Sequence, residues 1–127
     1  MSIGLGLSQI GQIAITVHDL DRAITFYRDV LGMRFLFQVP GMAFFDCGGM
    51  RLMLATPEGA QFDHPSSLVY YRVDDIGQAF NLLSGAGVSF RAEPHRTAQM
   101  PDHELWMAFF EDLEGNTLAL MSEVPRS

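Results

Sequence analysis

The chain repeats itself, and no other property narrows its fold as far. At an offset of 56 residues, Ile13, Ile15, Val17, Asp19, Leu20, Ala23 and Ile24 fall on Val69, Tyr71, Val73, Asp75, Ile76, Ala79 and Phe80. Beyond the helix the offset becomes 55, placing Gly32, Met33, Arg34 and Phe35 on Gly87, Val88, Ser89 and Phe90, as a single deletion within a helix or its cap produces. Two copies of one unit must therefore account for most of the 127 residues.

Within each copy the hydrophobic period changes from two to 3.6 and back. Ile13–Val17 and Val69–Val73 alternate as strands. Asp19 is placed to cap a helix whose apolar stripe is Ala23, Phe26, Tyr27, Val30 and Leu31, stopped by Gly32. Asp75, then Ala79, Phe80, Leu82 and Leu83 before Gly85 and Gly87, repeat the plan. Three β-rich runs follow each helix: 34–39, 42–47 and 50–56 in the first copy, and 88–92, 105–111 and 117–122 in the second. Turns come from Pro40-Gly41, Gly48-Gly49 and Glu114-Gly115-Asn116. The expected class is α+β: two tandem βαβββ modules, residues 9–58 and 67–123 of one domain, joined by a linker at 59–66. Their sheets form a concave, partly closed surface, and the cleft between modules is lined by alternate residues of every strand.

Charge and composition remove several classes of function. Eight basic against fifteen acidic residues give a net charge of −7, with no cationic cluster to neutralise phosphates, so nucleic acid is not an expected partner. All eight basic residues are arginine, which excludes a Schiff-base lysine and a P-loop lysine. Cys47 is the only cysteine, so an intrachain disulfide and a cysteine-rich metal site are excluded as well. No apolar run approaches the roughly 20 residues of a membrane span, and the start of the chain lacks the features of a secretory signal. A cytoplasmic protein with no membrane partner is expected.

Two segments carry a family resemblance: Ile15–Gly32 (ITVHDLDRAITFYRDVLG) and Phe109–Leu120 (FFEDLEGNTLAL). They resemble the first strand and helix, and the last hairpin, of the vicinal oxygen chelate superfamily. That group includes glyoxalase I, methylmalonyl-CoA epimerase, extradiol dioxygenases, and the fosfomycin- and bleomycin-resistance proteins. Leu113 stands where the family usually has proline. The resemblance implies a homodimer and, in metal-dependent members, one metal ligand from each of four strands. Those four positions fall here on Gln12, Met53, Leu68 and Ala119. One amide oxygen and a thioether are not a donor set for Zn²⁺, Ni²⁺, Fe²⁺ or Mg²⁺. No metal and no cofactor is therefore expected, and glyoxalase I activity should be missing, because the metal supplies its Lewis acid. Bleomycin-resistance proteins are the family's precedent for binding without metal chemistry.

Strand parity extends the expected ligand-binding cleft to Gln12, Thr16, Arg51, Met53, Leu68, Tyr70, Arg72, Thr117 and Ala119, with Met121 beside them and Trp106 as an aromatic contributor. Arg51 and Arg72 would suit a carboxylate or phosphate; the alternative is that each reaches solvent or pairs with Asp46 or Asp74. The segment Glu93–Glu104 is expected as a lid over the cleft. Within it His95 or His103 could serve as a general base oriented by Asp102 or Glu104, or hold a displaced metal. His18 and His64 read as surface and linker residues, and Cys47 as a packed thiol. Phe44, Phe45, Phe109 and Phe110 read as core or as a platform for a planar ligand. The leading reading is a metal-free protein that binds a small, partly apolar and acidic molecule for sequestration or sensing. A cofactorless isomerase or lyase, with Arg51 or Arg72 on an oxyanion and His95 or His103 moving the proton, is the alternative. A metal-dependent lyase or dioxygenase with non-standard ligands is the second alternative, and an interaction module with a filled cleft a further one.

Overall fold

A computed structural model describes Leu5 and residues 10–125, apart from the side chain of Phe62. They fall into two compact units that divide between Ser66 and Ser67. The first unit runs β1 (Gln12–Thr16), α1 (Leu20–Thr25), β2 (Arg34–Val39), β3 (Met42–Cys47) and β4 (Met50–Ala55). Its sheet has the order β1-β4-β3-β2, with β1 and β4 parallel and the other pairs antiparallel. Ile15, Val17, Phe45, Leu52 and Leu54 are buried on one face together with Ala23, Ile24, Phe26 and Tyr27 of the helical segment.

Asp19 caps α1 as expected, accepting a hydrogen bond from the Arg22 backbone N–H at 3.2 Å. The helix then widens: Phe26–Val30 form a π-helical turn, in which the Leu31 N–H donates to the Phe26 carbonyl five residues back. Gly32 follows with φ of 73°. A widened turn holds one more residue than an α-helical turn does. It therefore accounts for the change of repeat offset from 56 to 55 across this helix.

The second unit runs β5 (Val69–Arg72), α2 (Ile76–Gly85), β6 (Ser89–Phe90), β7 (His95–Gln99), β8 (His103–Glu111) and β9 (Thr117–Pro125). Its sheet follows β5-β9-β8-β6, with β7 also paired to β8. The βαβββ plan thus appears in both units, and β5 lies parallel to β9 as β1 does to β4. Asp75 caps α2 through the Gln78 N–H at 3.0 Å. Leu82, expected on the buried stripe, is instead 67% exposed; Ile76, Phe80 and Leu83 do the packing.

The segment expected as a lid is largely strand. β7 pairs antiparallel with the first half of β8, from Gln99 opposite Glu104 to His95 opposite Met107, with a bulge between Arg96 and Ala98. β6 pairs with the second half. The two pieces together form one interrupted edge to the sheet. Segment 59–66 contains a short 3-10 turn at Ala60–Phe62 and is tied to β1, where the Thr16 N–H donates to Ser66 Oγ at 2.8 Å. His18 Nε2 lies 2.7 Å from Asp63 Oδ1 there, and His64 Nδ1 lies 3.2 Å from its neighbour's carbonyl, Pro65 O.

Candidate functional site

Alternation divides each sheet into a face toward its helix and an open face. In the first unit the open face carries three of the expected cleft residues in contact. Gln12 lies opposite Arg51 in the register, and Met53 lies opposite Ala14 on one side and Phe44 on the other. Arg51 Nε donates to Gln12 Oε1 at 3.0 Å, and the same amide's Nε2 sits 3.8 Å from Met53 Sδ. The guanidinium also stands over the Phe44 ring, 5.4 Å from its centroid. Phe44 in turn stacks on Phe37 of the edge strand, with centroids 4.7 Å apart. Thr16 occupies the same face next to Ala55, half-buried.

Arg51 faces Asp46 across β3 and β4, yet that carboxylate is turned elsewhere. It accepts the Gly49 N–H at 3.0 Å and approaches Arg34 at 3.9 Å. Among the described residues no carboxylate pairs with Arg51. Its cation is exposed, oriented by an amide and backed by aromatic rings. That combination suits an incoming carboxylate on an apolar body.

The second unit's open face presents its residues in rows. Tyr70, Ala119 and Phe109 form one row, and the Tyr70 and Phe109 rings meet edge to face with centroids 6.1 Å apart. Ala119 between them is 0% exposed. Arg72, Met121, Met107 and His95 form the next row. Arg72 pairs with neither of the aspartates considered for it: Nη2 contacts Glu123 Oε1 at 3.1 Å. Thr117 Oγ1 accepts from Arg91 Nη2 at 2.7 Å, at the other end of the face. Leu68, 41% exposed, precedes β5.

Trp106 does not join these residues. Register pairs it with Ser122, which puts it on the helix side of the sheet with Ala108, Phe110 and Glu104. It borders a recess of about 470 Å³ between α2 and the strands, lined also by Ile76, Gly77, Phe80, Glu93 and Glu104. The signal for this was present in 105–111, since Trp106 shares its parity with the apolar Ala108 and Phe110.

The proton-transfer candidates separate. His103 Nδ1 lies 2.7 Å from Asp102 Oδ1, and this contact holds the Asp102 carboxyl below its ordinary range. Glu104 orients neither histidine; it accepts from the Trp106 indole at 3.2 Å and pairs with Arg96 at 3.5 Å. His95 and Arg72 lie with two strands between them, and Arg72 is held by Glu123. Burial, then Asp46, push the Cys47 thiol upward, which suits packing rather than nucleophilic attack.

A metal of the expected family kind does not fit these residues. Gln12 and Met53 meet each other as amide and thioether, Leu68 has no donor, and Ala119 is a buried methyl beside two rings. Among the described residues no three His, Cys, Asp or Glu side chains gather into a group that could hold a metal ion. No described helix is long and apolar enough to cross a membrane.

Comparison with known proteins agrees with this architecture. The family model of the Glyoxalase/Bleomycin resistance protein/Dioxygenase superfamily matches residues 9–120. A search of curated proteins finds no match. Among solved structures, a lactoylglutathione lyase from Agrobacterium tumefaciens is 25% identical with a TM-score of 0.72, over 91% of this chain and 93% of that one. A superfamily member from Sphaerobacter thermophilus is 23% identical with a TM-score of 0.74, over 94% and 100%. An integron cassette protein from the mobile metagenome of V. cholerae is 20% identical with a TM-score of 0.75, over 91% and 95%. The last two likenesses speak for the fold alone. With the family model spanning both repeats, the chain belongs to the glyoxalase/bleomycin resistance protein/dioxygenase superfamily.

Proposed function

We propose that this protein binds a small carboxylate with an apolar body, without a metal, and so sequesters or senses it. The observation that carries the reading is Arg51: exposed, oriented by Gln12, seated over Phe44, and paired with no carboxylate among the described residues. Met53 and Phe37 extend the apolar surface beside it. Arg72 is a weaker anchor, because an incoming anion must first displace Glu123.

Isothermal titration with 2-naphthoate tests this. Binding to the parent should weaken about tenfold or more in Arg51→Ala. Arg51→Lys should restore it only in part, since an ammonium lacks the planar fork. Arg72→Ala should change it little. If Arg51→Ala binds as the parent does, or if 2-naphthoate and smaller carboxylates give no saturable heat, the reading is wrong.

The lyase named among the solved structures is a reason to assay glyoxalase turnover, and we expect none, because the four positions lack a donor set. The cofactorless isomerase reading predicts that His103→Ala abolishes turnover while binding persists. Against it stands the arrangement within the second unit, where Arg72 and His95 occupy separated strands and Arg72 is neutralised.

A further inference from the structure

The recess beside α2 has a chemistry opposite to that of the Arg51 face. Two carboxylates, Glu93 and Glu104, share its wall with the rings of Trp106 and Phe80, and among the described residues no basic side chain lines it. Its floor is apolar, with Ile76 buried. Phe80 is held edge to face against Phe90, with centroids 4.7 Å apart. Glu104 accepts the indole N–H of Trp106 at 3.2 Å, which holds a carboxylate oxygen beside that ring. The first turn of α2 also reaches the recess through Ile76 and Gly77, and an exposed helix start would favour an anion there. Asp75 already supplies that negative charge by capping the turn. A volume near 470 Å³ lies within the range of small-molecule sites.

We infer that this recess is a binding site for a small organic cation, an ammonium or guanidinium carried on an apolar or aromatic body. The ring faces and the two carboxylates would take the charge together, and the apolar floor would take the body. The chain supplies a weak internal competitor. Arg96 Nη1 approaches Glu104 Oε2 from β7 at 3.5 Å, at the long end of ion-pair distances, with its side chain 53% exposed. A ligand cation would share or replace that contact. The site is separate from the Arg51 face and stands or falls independently of it.

Trp106 is the only tryptophan, so its fluorescence reports on the recess alone. Titration of the full chain with benzyltrimethylammonium chloride, at constant ionic strength, should give a saturable change. Benzyl alcohol, the neutral counterpart, should give a change that is weaker by about fivefold or more. The Glu93→Gln/Glu104→Gln double variant should lose a similar factor. Arg96→Gln should bind more tightly than the parent, because it frees Glu104.

Gly77→Leu serves as the steric block. Among the described residues a Cβ at Gly77 meets only Asp75 Oδ1, at 3.6 Å, and leucine favours a helix over glycine, so the variant should keep the parent's circular dichroism while losing the titration. The inference is overturned if the fluorescence does not saturate, if benzyl alcohol binds as well as the cation, or if folded Gly77→Leu binds like the parent. An unchanged affinity in Arg96→Gln would also count against it.

Discussion

A charged side chain is only as available as its neighbours leave it. Arg51 near the start of β4 and Arg72 at the end of β5 are both exposed, yet one meets an amide and the other a carboxylate. Sequence parity placed Gln12, Arg51 and Met53 on one face, because alternation needs nothing beyond the strand itself. The partners of the two arginines were not legible, because they depend on register across strands. The contact of Asp102 with His103, by contrast, joins chain neighbours and was among the pairings the sequence offered; it lowers the Asp102 carboxyl. A carboxyl lowered in the fold contributes to stability above the ordinary carboxylate range, and that contribution fades as pH falls through the lowered value. Heteronuclear NMR titration should find Asp102 still ionised where ordinary aspartates are half-protonated, near pH 4. In His103→Phe its titration should rise toward the ordinary value; if it stays as low as in the parent, the contact is not the main cause.

Elements were legible where one face is buried. β1, β3 and β4 alternate cleanly and were readable to within a residue or two, as was the cap of each helix. β7 was not readable, because an edge strand that is mostly exposed on both faces shows no burial pattern. His95, Arg96, Thr97 and Gln99 read equally well as loop. The final hairpin shows how one side chain can fix what alternation leaves open. Asp112, buried to 8% exposure, accepts the N–H groups of Glu114 and Asn116, both at 2.9 Å, and the Asn116 side-chain amide at 2.8 Å. This network closes the turn with Leu113 in place of the family's proline, and so sets the pairing of β8 with β9. Asp112→Ala should cost about 1–3 kcal/mol in urea denaturation, since it leaves several donors without an acceptor. Leu82→Gln, on the exposed side of α2, should stay within about 0.5 kcal/mol of the parent. Equal losses in the two variants would remove Asp112 from this role.

At the scale of the whole molecule, the repeat and the superfamily were both readable, whereas the ligand chemistry had to wait for side-chain geometry. The donor chemistry of the four family positions predicts that protein purified without chelator carries less than about 0.1 equivalent of transition metal. Elemental analysis by inductively coupled plasma mass spectrometry checks this, and one tightly held equivalent would overturn it. We further propose a cytoplasmic homodimer, in keeping with the lone cysteine and with the exposed Leu36, Phe37 and Val39 along the edge strand β2. Sedimentation equilibrium should give twice the chain mass of 14.1 kDa, and a monomer at micromolar concentration would refute the assignment.

The widened turn at Phe26–Val30 bears on how two copies of one unit drift apart. Adding or losing a residue inside a paired strand turns every side chain beyond it to the wrong face. The same change inside a helix is absorbed by a widened turn of i to i+5 bonds, and the strands downstream keep their partners. Length can therefore vary between the halves at the helix while the sheets stay locked. The repeat remains visible across the helix and into the next strand because this difference of one residue fell where the backbone had slack.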